Sequence, residues 1–268
     1  MSWTLTPDQF ALAWARTDGD RIPYPLAVRL SARDSDERAA QLPALEQWVD
    51  RTLDADMEAA LRVLARPELR VEVFGHRESA PESGYGVDAA PNTVAESLTR
   101  PIRLLGAAAG NVAVVATQRP GATPDRGGEL RLFVGSPKSL SARLVSLLPE
   151  NTPGTAPRLS APRTKVSEDS RDMVTVPVAG PTVPARIRRL LRQPRNGIGQ
   201  IVVSAKRDSG EPRPFGVLCW IDVVEDGRYT VRTGADVSIV PVDAEGFTEQ
   251  LRPMIRAASR TIAYAEHG

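Results

Sequence analysis

The residue types that most often carry chemistry are sparse in this chain, and their spacing limits what they can do. The two histidines, His76 and His267, lie far apart, and neither has cysteine or carboxylate neighbours at the spacing a metal ion needs. The single cysteine, Cys219, sits between Leu218 and Trp220 in a strand-like run. A nucleophile would need a positioned base, so Cys219 reads as a buried, inert thiol. Asp222, Glu225 and Asp226 could exchange a proton, yet with Gly227 they match a hairpin tip, where acidic residues favour the turn itself. Gly197-Ile198-Gly199 lacks a third glycine and leads into a strand, so it is not a dinucleotide fingerprint. No phosphate loop and no Gly-x-Ser-x-Gly elbow is present. These residues predict no catalytic centre, no cofactor and no metal.

A different kind of site is suggested by Arg186, Arg188, Arg189, Arg192 and Arg195, which crowd one helix beside Ile187, Leu190 and Leu191. Such a cluster could dock phosphates or a membrane surface, or line a protein interface. No stacking aromatics accompany it, and 34 basic side chains nearly balance 33 acidic ones. A solvated helix face paired with local acids is the favoured reading, with no nucleic-acid partner and no membrane insertion. The longest apolar stretch, 104–116, is interrupted by Gly110-Asn111 and is too short to cross a bilayer. The first residues carry neither a basic nor an apolar leader region, so no signal peptide is expected. One cysteine excludes an internal disulfide and fits a reducing, cytoplasmic setting.

The elements that would position these residues come in two similar sets. Met57, Leu61 and Leu64 mark a helix that ends at Pro67 and leads into a strand over 69–74; Ile187, Leu190 and Leu191 mark a helix that ends at Pro194 and leads into a strand over 200–205. Each half then continues through turn-bounded strands to an amphipathic helix, starting just after Ser136-Pro137 in the first half and after Pro241-Val242-Asp243 in the second. Two copies predict a duplicated α+β unit about a quasi-two-fold axis, with halves at 1–148 and 182–268 and a Pro/Ser/Thr-rich linker over 149–181.

Local signals refine this. Thr6-Pro7 and Asp34 start helices, Pro43 opens a separate one, and Asp54 caps another. Pro23 and Pro25 allow 22–30 an edge strand at best. Residues 75–99 read as a long loop, and strands are expected over 102–108, 111–118 and 129–134. In the second half strands are expected over 215–224, 228–232 and 237–242, with Asp226-Gly227 as a type I′ turn. Phe247 and Leu251 belong to the core face of the last helix, which Pro253 should kink or break near Arg252.

Several stretches together resemble the EspG family, the cytosolic chaperones of actinobacterial type VII (ESX) secretion. They are Leu61 to Val71 with its Leu-Ala-Arg-Pro-Glu core, Gly197-Ile198-Gly199-Gln200, Trp220-Ile221-Asp222 with Gly227-Arg228-Tyr229, and Val240-Pro241-Val242-Asp243. The resemblance spans nearly the whole chain in order. It implies a mixed α/β fold with a central antiparallel sheet flanked by helical bundles. It also implies a partner: the apolar helical tip of a PPE protein in a PE/PPE heterodimer, kept soluble until secretion by a chaperone that is itself a monomer or a dimer. Under this resemblance Gln200, Arg228 and Tyr229 are the candidate partner-binding residues. Two other classes remain open at this stage, a protein-binding scaffold or regulatory module unrelated to secretion and a small-molecule-binding enzyme.

Overall fold

The computed structural model describes residues 1–17, 19, 21–79, 98–168, 180–206 and 210–265. Helices and strands follow in runs because the apolar period switches between helical and strand spacing along the chain. The first half runs β1 (Ser2–Leu5), α1 (Pro7–Arg16), α2 (Ser35–Thr52), α3 (Ala55–Ala65), β2 (Leu69–Ser79), β3 (Leu98–Ala109), β4 (Val112–Pro120), β5 (Gly127–Gly135) and α4 (Leu140–Ser146). The second runs β6 (Leu159–Pro162), α5 (Arg163–Ser167), α6 (Val183–Leu191), β7 (Arg195–Ala205), β8 (Arg213–Val223), β9 (Gly227–Thr233), β10 (Asp236–Pro241) and α7 (Ala244–Ala265). Among the described residues no helix is long and apolar enough to cross a membrane.

All ten strands join one antiparallel sheet in the order β1-β5-β4-β3-β2-β7-β8-β9-β10-β6. The order reads as a palindrome of equivalent strands about the β2–β7 contact, so the duplication expected from sequence becomes a sheet shared by both halves. One sheet face carries Leu69, Val71, Val73, Ile201, Val203, Ala205, Leu218 and Trp220, which pack under α4 and α7 in the central core. On the opposite face α1 and α3 cover β3, β4 and β5 through Phe10, Trp14, Met57, Leu61 and Leu64. There α6 covers the ends of β8, β9 and β10 through Ile187 and Leu190.

Several boundaries differ from the sequence expectation. α2 is continuous through Pro43, and α7 runs unbroken through Pro253. Both prolines stand on exposed turns, as do Ala39 and Glu249 four residues before them, so the carbonyls left without a donor face water. β2 continues to Ser79 and places His76 in a strand, while β3 begins at Leu98; the loop expected over 75–99 is thus shortened at both ends, and its remainder lies outside the described residues, as does His267. Residues 22–30 form no strand. Instead the Gln118 side chain takes a strand's place, accepting from the Ala27 N–H at 2.7 Å and donating to the Ala27 carbonyl at 3.2 Å.

The stretch expected to be a linker carries β6 and α5, with β6 paired along β10 at the sheet edge. Ahead of it Gly154 lies against the Tyr229 ring, where a Cβ would come within 1.9 Å of Cζ. The hairpin after β8 closes one step earlier than a type I′ turn at Asp226-Gly227 would: the Asp226 N–H donates to the Val223 carbonyl, and positive φ falls at Glu225 (59°) and Gly227 (145°), not at Asp226. Among the described residues the arginine cluster hydrogen-bonds to carbonyls. Arg188 donates to the carbonyls of Lys165, Val166 and Glu168, capping α5, and Arg195 donates to Leu191 O.

Candidate docking face

Between the two helical covers, no described helix lies over the middle of the second sheet face. Strand alternation fixes what stands there, since Leu69, Val71 and Val73 face the core and therefore Arg70, Glu72 and Phe74 face the other way. Register carries the pattern across the sheet. One row reads Arg103, Phe74, Gln200, Cys219, Val231, and the next reads Leu105, Glu72, Val202, Val217. Leu105 lies under α3 and Val231 packs toward α6, so the uncovered strip consists of Glu72, Phe74, Gln200, Val202, Val217 and Cys219. Val217 is 47% exposed and Gln200 is exposed, while Phe74, Val202, Glu72 and Cys219 are half-buried. Tyr24 flanks the strip with its ring centroid 5.7 Å from that of Phe74, and Phe215, at the β8 bulge, is also exposed.

Burial sets the electrostatics of the strip. The Glu72 carboxyl is pushed up, chiefly by desolvation, with the nearby Arg70 charge opposing that rise. Tyr24 is pushed up by burial and by the neighbouring Glu72 charge. The Cys219 thiol is pushed up by burial, which leaves little thiolate near neutral pH and makes it a poor nucleophile. The thiol is half-buried on the open strip, where the sequence suggested full burial.

The three candidate residues separate sharply. Gln200 stands on the strip between Phe74 and Cys219. Arg228 and Tyr229 do not present a surface: they are 5% and 0% exposed, because β9 lies between β8 and β10, Asp222 takes the Arg228 guanidinium and the 152–156 segment lies against the Tyr229 ring. Arg228 binds Asp222, itself 1% exposed, so Asp222 belongs to a buried ion pair and not to the turn. Tyr229 Oη donates to Asp226 Oδ2 at 2.5 Å and accepts from the Ala156 N–H at 2.9 Å, and Asp226 Oδ1 accepts from both the N–H and hydroxyl of Thr155. These bonds fasten 152–156 to the hairpin. Burial pushes the Asp226 carboxyl up, but the bonds from Tyr229 and Thr155 outweigh it and hold it below the usual carboxylate range.

The two glycines of Gly197-Ile198-Gly199 serve this interior. A Cβ on Gly199 would come within 2.1 Å of the Trp220 ring, and one on Gly197 within 2.6 Å of Asp222 Oδ2. They make room for an indole and a carboxylate, which is a packing role.

A sequence model of the EspG family matches residues 6–252. The chain belongs to the EspG family. No curated protein matches it by sequence. Among solved structures it is similar to the type VII secretion system chaperone EspG5 of Mycobacterium tuberculosis, described in complex with the PE25-PPE41 dimer. The two chains share 16% identity with a TM-score of 0.59, over 97% of this chain and 96% of that one. At that identity the likeness speaks for the fold, and it spans both halves and the shared sheet. Within this EspG-family fold, sequence reasoning missed Phe74, Val202 and Val217. Period-two alternation marks them as facing away from the core, but nothing local says that helices stop short of them.

Other concave places are less suited to a macromolecular partner. A cleft of about 430 Å³ beside α4 is lined by Phe133, Arg143 and three serines, with the Arg143 and Arg131 guanidiniums 4.6 and 5.5 Å from the Phe133 centroid. It is a local notch at the β5 side of the sheet, whereas the strip runs across both halves.

Proposed function

We propose that this chain is a cytosolic specificity chaperone of a type VII secretion system that binds the helical tip of a PPE protein in a PE/PPE heterodimer, keeping it soluble and secretion-competent. Membership of the EspG family over residues 6–252 carries the reading. The open strip supports it, because Phe74, Val202 and Val217 offer apolar contact where a helical end can lie against an exposed sheet face. Gln200 supplies a polar contact there, while Arg228 and Tyr229 act indirectly by holding the β8–β9 hairpin. The work is shielding and requires no bond-making step. Co-expression with a PE/PPE pair from the same genome, followed by size-exclusion chromatography, tests the reading. A chaperone raises the pair's soluble yield and co-elutes with it; separate elution and unchanged yield contradict the proposal.

A further inference from the structure

Glu72 stands out within the otherwise largely apolar strip. It lies between Leu105 and Val202 in the cross-strand row, half-buried, with no hydrogen bond or ion pair to any described residue. Arg70 on the same strand face acts on it through its charge, and Tyr24 lies near enough to feel the Glu72 charge, but neither hydrogen-bonds it; the Arg70 Nη2 instead stands 3.3 Å from Glu211 Oε2. A carboxylate half removed from water without a donor is unfavourable in the free protein, and burial accordingly holds its proton more tightly than usual. Its two oxygens can accept several hydrogen bonds that no described residue supplies.

A helical end has the complementary deficit. At any helical hairpin tip one helix begins, and the first four backbone N–H groups of that helix have no partner within it. Those donors, with the positive end of the helix dipole, form an anion site that depends on no particular side chain. We propose that Glu72 is the polar anchor of the docking face, its carboxylate capping the exposed helix N-terminus in the partner's tip while Phe74, Val202 and Val217 cover the apolar residues around it. This rests on the docking reading above and adds a residue that fixes the orientation of the bound tip. A sheet face with apolar side chains alone would accept a helical end at many rotations; a single acceptor selects those that deliver free N–H groups to it.

The test measures affinity for the PE/PPE pair and thermal stability for the wild type, Glu72→Gln and Glu72→Leu. An anchoring carboxylate predicts binding weakened about 10-fold in Glu72→Gln and about 10- to 100-fold in Glu72→Leu, since charge-assisted bonds to carboxylates are the stronger kind. It also predicts Tm values equal to or above the wild type, because the substitutions remove an unpaired, half-buried charge. Unchanged or tighter binding by Glu72→Leu overturns the inference, as does a fall in Tm that accounts for the weaker binding. An alanine scan of lysine and arginine residues in the partner's tip separates the donors: if one such substitution abolishes the difference between wild type and Glu72→Gln, the donor is a side chain and the helix-capping claim is overturned. Failure of the wild type to bind the pair at all overturns both this inference and the docking reading, whereas wild-type binding that is indifferent to residue 72 overturns this inference alone.

Discussion

Arg228 grips Asp222 through two parallel bonds, Nε to Oδ1 at 2.7 Å and Nη2 to Oδ2 at 2.8 Å, in the interior of the second half. The pair joins β8 to β9, and the Arg228 backbone reaches further, donating to the Thr152 carbonyl and accepting from the N–H groups of Gly154 and Val242. Truncation of one partner leaves a buried charge. Arg228→Ala is expected to cost about 3–5 kcal/mol of folding stability, and Arg228→Lys a substantial part of that because the fork is lost. Denaturant unfolding measures both. A loss below about 1 kcal/mol for Arg228→Ala contradicts the assignment.

Gly199→Ala is expected to destabilise the fold by several kcal/mol, because its Cβ would meet the Trp220 ring in the central core. Gln200→Ala, one residue along and on the open face, is expected to change stability by no more than about 0.5 kcal/mol while weakening partner binding. Thermal unfolding and a binding isotherm on both variants check the contrast. Equal Tm values for the two would remove the packing explanation of the Gly-Ile-Gly sequence.

The contrast between neighbouring positions shows what was legible in the sequence. The duplicated units, most strands and the core role of Phe247 and Leu251 follow from periodicity, turn residues and prolines, all of which are local. Arg228 and Tyr229 were misplaced because polar side chains near a hairpin look solvated, and their burial depends on the Asp222 pairing across β8–β9 and on the 152–156 segment, distant in sequence. Residues 149–168 looked like a linker because they have few large apolar groups. They are held by backbone bonds to Arg228, by the Tyr229 and Asp226 side chains and by pairing with β10, none of which composition records. The docking strip was hidden for a related reason, since it is defined by where α1, α3 and α6 end.

Tyr229→Phe removes the hydroxyl shared by Asp226 and the Ala156 N–H. The expected loss is about 1–2 kcal/mol, with amide exchange rising first over 152–156. Exchange that rises uniformly across the sheet contradicts this local fastening.

Glu72 gives the free protein a signed pH dependence. Its folded pKa lies above the unfolded one, so the folded state holds the proton more tightly and the charge burdens the fold as pH rises through the folded value. The penalty is absent below the unfolded carboxyl pKa and complete above the folded one. Glu72→Gln is expected to flatten this part of the stability profile and to gain most, relative to wild type, near neutral pH. Parallel profiles for the two proteins contradict it.

Cys219, the single thiol of the chain, stands on the strip beside Gln200 and offers the most direct test of where the partner sits. Its rate of alkylation is measured in the free protein and in the purified complex with a PE/PPE pair, at a pH high enough to supply thiolate. The account predicts slow labelling in the free chain and at least about tenfold protection in the complex, because the helical tip covers the middle of the sheet face. An equal rate in both would place the partner elsewhere and contradict the central claim.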